Sequence, residues 1–150
     1  MSLYFDLVIN CDLKEDTPAS VIEAVKSLTD TRYEPPKDPQ LSLPWDDNGW
    51  NHFWNMHFLA PWQDDVVSFK RQLRAYLPRE NNRPVYRYSL KYMGRNLKDD
   101  LFFTHHYIFF YWLAIVSYQN FFGYYQETAD RAGKQVKLLY ADKLLEKLNE

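Results

Sequence analysis

Within the first thirty residues, the spacing of apolar residues changes from every second residue, as in a strand, to the spacing of a helix. This change limits the possible folds of the chain more than any other feature of the sequence. Every second residue from Leu3 to Leu13 is apolar, as in a β-strand with one buried face. The turn Asp16-Thr17-Pro18 then offers an N-cap and a proline for the first helical position. Apolar residues next recur at helical spacing, at Val21, Ile22, Val25 and Leu28. The sequence therefore predicts a strand, a capped turn and an amphipathic helix.

A second strand, turn and helix are predicted between residues 85 and 116. Over 85–93, tyrosine and leucine alternate with basic residues and serine, which is the period of a strand. Gly94-Arg95-Asn96 predicts a turn whose asparagine caps a helix. The apolar run 107–116 belongs to this helix, and it is shorter than the roughly 20 residues that a membrane span needs. We expect a buried helix and no membrane segment.

These two units, with the segments that follow them, predict the fold class. Each unit precedes an aromatic-rich strand, at 52–59 and at 121–127. Two successive βαβ units predict an α+β protein with a ferredoxin-like repeat, in which a mainly antiparallel sheet carries its helices on one face. The length fits a single domain over 1–150, with a proline-rich loop at about 30–50.

The remaining segments complete the predicted elements. Residues 64–77 place two aspartates before two arginines and end at a proline, which favours a helix aligned with its dipole. A strand is predicted over 136–140, paired with 121–127 around a turn, and a short charged helix over 141–148.

Composition excludes several classes of protein. An aromatic content of 18% is too high for a disordered chain, and Cys11 is the only cysteine, so no intrachain disulfide forms. The N-terminus has an early aspartate and lacks the basic segment of a signal peptide. One unpaired thiol fits a reducing compartment, so we expect a cytoplasmic protein.

Histidine and cysteine give no recognisable catalytic or metal site. Neither His52 with His57 nor His105 with His106 has the i, i+4 spacing of a two-histidine metal face. Cys11 lies on the apolar side of the first strand, where a buried and unreactive thiol is expected. We therefore predict no metal and no catalytic residues, and we favour a binding protein over an enzyme.

Charge is distributed unevenly along the chain. Residues 1–65 hold four basic and twelve acidic residues, a balance of −8, whereas residues 70–98 hold nine basic residues against one glutamate, a balance of +8. The basic block can bind an anionic ligand or partner protein, for which Arg87 and Lys91 are candidates. It can also pair with the acidic block of the same chain or of a second chain. Nucleic-acid binding is not favoured, because the net charge of the whole chain is −2.

Tryptophans cluster around the proline-rich loop and suggest a ligand pocket or a protein interface. The cluster includes Trp45, Trp50 and Trp54. Our leading hypothesis is a non-catalytic interaction module that forms a homodimer through the sheet or the tryptophan loop. One alternative is a pocket for a small molecule or cofactor such as a tetrapyrrole, walled by these tryptophans, with a ligand or base supplied by His52, His57, His105 or His106. A second alternative is nucleic-acid binding by residues 70–98.

Overall fold

A computed structural model describes residues 3–34, 57–61, 65–77, 83–130 and 132–148. The strands within these ranges are β1 (Tyr4–Asp12), β2 (Val66–Leu77), β3 (Arg83–Lys98), β4 (Phe121–Glu127) and β5 (Lys137–Tyr140). The α-helices are α1 (Ala19–Thr29), α2 (Asp99–Leu101), α3 (Tyr107–Val116) and α4 (Ala141–Leu148), with a π-helical turn (Phe102–His106) between α2 and α3.

The five strands form one antiparallel sheet in the order β2-β3-β1-β4-β5. Strand β1 is the central strand, and its odd-numbered residues are apolar while its even-numbered residues are mostly polar. Leu7, Ile9 and Cys11 are accordingly buried, while Asn10 is exposed. The core lies on this odd-numbered face of the sheet, between the strands and the apolar sides of α1 and α3.

The helical segment after β3 packs aromatic rings onto the central strand. The Phe102 ring stacks on Phe5 at 4.6 Å between ring centres, and Phe110 stacks on Tyr125 of β4 at 5.8 Å. Trp112 is fully buried. The predicted helix over 107–116 is confirmed, and no helix within the described ranges has the length and apolarity needed to cross a membrane.

The predicted α+β class with an antiparallel sheet is confirmed. The ferredoxin-like βαβ repeat is not confirmed: the sheet has five strands in the order given above, and helix α4 follows the last of them. The predicted strand 121–127 and helix 141–148 are confirmed, and the predicted strand 136–140 is observed as β5. Of the predicted strand 52–59, residues 52–56 lie outside the described ranges, and residues 57–59 begin a turn.

The helix predicted over 64–77 is wrong, because this segment forms strand β2. Val66 and Val67 are β-branched, and β2 pairs with β3 from Val66 opposite Met93 to Leu77 opposite Arg83. The partner strand supplies backbone hydrogen bonds along this length, and these outweigh the helix-like order of acidic and basic residues.

The turn predicted at Gly94-Arg95-Asn96 is also wrong. Strand β3 continues to Lys98, and a β-bulge accommodates these residues: Leu7 is opposite Gly94, whereas Phe5 is opposite Leu97. Asn96 has a positive φ of 54°, and its backbone N–H donates to Asp6 Oδ1 at 3.1 Å. Asn96 therefore bends a strand rather than capping a helix.

Thr17 does not cap α1, contrary to the sequence prediction. Its hydroxyl donates to the Lys14 carbonyl oxygen at 2.6 Å and closes the preceding turn. The residue before the helix is Pro18, and no side chain caps its N-terminus. The amphipathic helix itself is confirmed, with Val21, Val25 and Leu28 fully buried.

Candidate binding surfaces

One row of apolar residues crosses the whole sheet. Val66 lies opposite Met93, Met93 opposite Val8, Val8 opposite Tyr124, and Tyr124 opposite Leu138. Directly opposed residues of antiparallel strands project from the same face of a sheet. The five side chains therefore form a continuous stripe from β2 to β5, which we call the apolar row.

The apolar row lies on the face of the sheet away from the core, which we call the open face. Ile9 and Tyr92, which alternate with row residues along their strands, are buried on the core side. The row residues other than Val8 are between 37% and 59% exposed. A depression of about 260 Å³ lies beside Val8, Val66 and Met93. Side chains of this size are normally buried in a partner when they form a continuous exposed patch.

Lys91 stands next to the apolar row on the open face. Asn10 of β1 and Ser68 of β2 flank it, so a polar band borders the apolar stripe. Lys91 also lines the depression beside Met93. The predicted candidate Lys91 thus belongs to the rim of a surface whose centre is apolar.

A second surface lies where β3 runs past the end of β1. Residues 83–88 of β3, the turn after β1 and Arg71 of β2 enclose a cavity of about 330 Å³. Four basic side chains line it, together with one glutamate, and we call it the basic cleft: Lys14, Arg71, Arg83, Arg87 and Glu15. Tyr86, Tyr88 and Ile22 complete its walls.

Arg87, predicted from the sequence, is the most buried base of the basic cleft. Its side chain is 14% exposed, its guanidinium carbon lies 3.7 Å from the centre of the Tyr118 ring, and its Nη2 lies 3.6 Å from Glu15 Oε1. The Nε of Arg87 is buried and has no hydrogen-bond acceptor. A buried donor without an acceptor is uncommon and costs about 1–3 kcal/mol.

The acidic and basic blocks of the sequence contact each other in part. Arg87 pairs with Glu15 and Arg74 pairs with Asp12, in each case joining residues 70–98 to residues 1–65. Within the described ranges, Arg71 and Arg83 have no acidic side chain within 4 Å. Intrachain pairing therefore accounts for some of the charge separation but leaves the basic cleft with unpaired cations.

His57, His105 and His106 gather around Phe58. The Phe58 ring lies 5.6 Å from the His105 ring and 5.0 Å from the His106 ring. His57 precedes Phe58 with a positive φ of 47°, and its Nδ1 contacts the Ser27 carbonyl oxygen. Phe58 thus contacts two of the predicted candidates, His105 and His106, while the third, His57, precedes it in the sequence and contacts α1.

His106 is completely buried among aromatic rings. Phe102 stacks against it at 5.9 Å and Tyr92 lies at 6.1 Å, while neither ring nitrogen has a partner at normal hydrogen-bond geometry. Backbone contacts with Leu101 and Phe58 act to raise its pKa, but two stronger causes oppose them. Burial, and then the charge of His105, lower the pKa of His106 from 6.5 to about 3. The ring is neutral at physiological pH and is sealed from solvent, so it is not available to a soluble ligand.

Cys11 and the remaining candidates add no reactive centre. Burial raises the pKa of the Cys11 thiol to about 12, despite a hydrogen bond with Ser117 that lowers it. Among the residues that the structure describes, no three His, Cys, Asp or Glu side chains are grouped to hold a metal ion. The candidates Trp45, Trp50, His52 and Trp54 lie outside the described residues.

Sequence reasoning did not single out most of the residues of these two surfaces. Val8 was visible as an apolar residue on the polar side of the first strand, and Arg71 and Arg83 belonged to the basic block. The apolar row itself depends on the pairing of five strands, which no local pattern specifies.

Comparison with models of known protein families, with curated proteins and with solved structures finds no match to this chain.

Proposed function

We propose that this chain is a non-catalytic interaction module that forms a homodimer through the open face of its sheet. The observation that carries the proposal is the apolar row, which leaves large apolar side chains exposed side by side across the five strands. Apolar surface removed from water on association provides the main driving force for dimerisation.

The open face has the size that a stable dimer needs. Five strands spaced about 4.8 Å apart and some nine residues long give a face of roughly 20 by 30 Å. This is on the order of 600–700 Å², close to the roughly 800 Å² that each partner buries in a standard interface. One sheet packed on another, as in a β-sandwich, satisfies this requirement.

The apolar row is also suited to a two-fold interface. Val8 is its centre, with two apolar residues on each side. A two-fold axis along β1 places Met93 of one chain against Tyr124 of the second chain, and Val66 against Leu138. Contacts of this kind between a methionine sulfur and an aromatic ring are favourable, and a self-complementary patch is the requirement for a cyclic dimer.

We also infer a ferredoxin-like arrangement for the first four strands. Helix α1 connects β1 to β2 with β3 between them, and the helical segment 99–116 connects β3 to β4 with β1 between them. Two such split βαβ units support this inference, with β5 and α4 as additions at one edge. Because fold does not imply function, the inference adds no argument for an activity.

A binding role agrees with the environment of the reactive residue types. Cys11 and His106 are both enclosed in the core, where a substrate has no access. A free thiol also suits the cytoplasmic location that we propose.

Sedimentation equilibrium tests the dimer. We expect a species of twice the 18.1 kDa of one chain at micromolar concentration. Met93→Asp and Leu138→Asp should each raise the dimer dissociation constant at least about tenfold, because a carboxylate would be buried without a partner. Leu73→Asp is the matched control: Leu73 is 43% exposed, but it lies on the opposite face of β2.

The outcomes separate the dimer from a folding defect. Circular dichroism shows whether each variant keeps its secondary structure. A wild-type chain that stays at 18.1 kDa throughout the micromolar range would contradict the proposal. So would a Leu73→Asp variant that dissociates as readily as Met93→Asp, since the open face would then have no special role.

A further inference from the structure

We propose that the basic cleft binds a small molecule that carries a phosphate group. The cleft lies at the end of the sheet, separate from the apolar row, so this inference does not depend on the dimer. Its basis is the convergence of Lys14, Arg71, Arg83 and Arg87 on one cavity.

The charge of the cleft calls for an anion of more than one charge. Among the residues that the structure describes, four cationic side chains and one carboxylate, that of Glu15, line the cavity, which leaves a local excess of three positive charges. Glu15 is 59% exposed and lies 3.6 Å from Arg87, so it offsets one guanidinium from the solvent side. A phosphate monoester carries close to two negative charges at pH 7 and matches this excess better than a single carboxylate does.

Aromatic rings position two of the guanidinium groups. Arg71 lies over the Tyr86 ring at 4.4 Å, and Arg87 lies over the Tyr118 ring at 3.7 Å. A ring face attracts the guanidinium but is not a conventional acceptor for its N–H groups. The N–H groups of Arg71 therefore stay available for the paired hydrogen bonds that arginine makes to phosphate oxygens, whereas Arg87 already faces Glu15.

The dimensions favour a small molecule over a polymer. A cavity of about 330 Å³ lies at the lower end of the range for small-molecule sites, which is roughly 300–1,000 Å³. Tyr86, Tyr88 and Ile22 provide apolar wall for the organic part of such a ligand. A nucleic-acid surface would instead continue as a basic groove along the backbone.

Isothermal titration calorimetry at constant ionic strength tests the proposal. The probes are inorganic phosphate, pyrophosphate and adenosine monophosphate, with succinate as a dicarboxylate of similar charge. We expect the phosphate compounds to bind at least about tenfold more tightly than succinate. Arg83→Gln and Arg71→Gln should each weaken binding of adenosine monophosphate about tenfold, and Arg83→Lys should weaken it less, because one charge remains without the paired hydrogen bonds.

Arg95→Gln is the matched control, since it removes one positive charge from β3 outside the cleft. It should change the dissociation constant less than about twofold.

The proposal is overturned if no phosphate compound binds at millimolar concentration, or if succinate binds as well as pyrophosphate. It is also overturned if a single-stranded RNA binds more tightly than adenosine monophosphate and Arg95→Gln weakens that RNA as much as Arg83→Gln. Thermal unfolding of each variant identifies any loss of binding that comes from misfolding.

Discussion

Arg74 of β2 reaches across the open face of the sheet to Asp12 of β1 and forms a two-pronged ion pair over the strand between them. Its Nε lies 2.9 Å from Asp12 Oδ2, and its Nη2 donates to Asp12 Oδ1 at 2.9 Å. The pair joins the basic and acidic blocks of the sequence and links two strands that share no backbone hydrogen bonds.

Arg74→Gln should reduce the free energy of unfolding by about 0.5–1 kcal/mol, because a partly exposed ion pair with two hydrogen bonds is lost. Urea denaturation measures this difference, which should shrink at high salt as the charges are screened. Arg32→Gln is the control. Arg32 also pairs with an aspartate, Asp30, but it is 81% exposed and only two residues away, so its loss should cost less. Equal costs for the two variants would show that the link between strands contributes nothing.

His106 makes stability depend on pH. Its pKa is about 3 in the folded protein and 6.5 in the unfolded chain. With respect to this group, the free energy of unfolding is therefore highest above pH 6.5 and decreases as the pH falls from 6.5 toward 3. At pH 5 the free energy of unfolding should be about 2 kcal/mol lower than at pH 8, because the unfolded chain binds a proton at this ring and the folded protein does not. His106→Leu removes the group, so its unfolding free energy should fall less between pH 8 and pH 5. Parallel pH profiles for the two proteins would contradict the assignment.

Gly123 lies so close to the neighbouring strand that there is no room for a side chain at this position. A Cβ at this position would collide with the backbone carbonyl oxygen of Val8 in the paired strand. Gly123→Ala should therefore destabilise the protein by about 1–3 kcal/mol. Thermal denaturation checks this. Gly133→Ala is a useful comparison, because Gly133 has a φ of 62° and an added Cβ would make only ordinary van der Waals contacts, with Val136 and Gln126, so the cost there comes from the backbone.

Cys11 should react with a thiol reagent only after unfolding. The side chain is fully buried and the pKa of its thiol is raised to about 12, so the native protein contains almost no accessible thiolate at pH 8. Labelling followed by absorbance should give no reaction in buffer and one thiol per chain in denaturant. Stoichiometric labelling of the native protein within minutes would show that β1 is open to solvent.

The elements with strong local signals were predictable from the sequence. The alternation from Leu3 to Leu13 specifies which face of β1 is buried, and Lys91 was correctly placed on the opposite face from Leu90. Strand β2 was not predictable, because its conformation depends on hydrogen bonding to β3 and its local charge order resembles a helix. Asn96 was misassigned for a similar reason: a positive φ suits a turn and a bulge equally, and pairing with β1 decides between them.

The candidate surfaces were predictable only in part. Arg87 and Lys91 were identified from the charge and aromatic pattern of residues 70–98, and they lie at the basic cleft and the open face respectively. Val66 and Leu138 gave no signal, since each stands beside a second apolar residue, Val67 or Leu139, and the sequence does not show which of the two faces the core. They join a common surface only through the register of four strand pairs.

The π-helical turn leads directly into α3. Each residue of an α-helix advances the side chains by about 100°, and a π turn holds one residue more than an α turn. Phe103 and Thr104 within this turn are exposed, but the Phe103 ring still contacts Phe5 of the core, and the Thr104 hydroxyl donates to the Asp100 carbonyl oxygen. An α turn and a π turn each complete one rotation, so deletion of one of these residues would shorten the π turn to an α turn and leave Phe109 and Trp112 in the interior. The turn therefore carries one residue more than the angular phase of α3 requires.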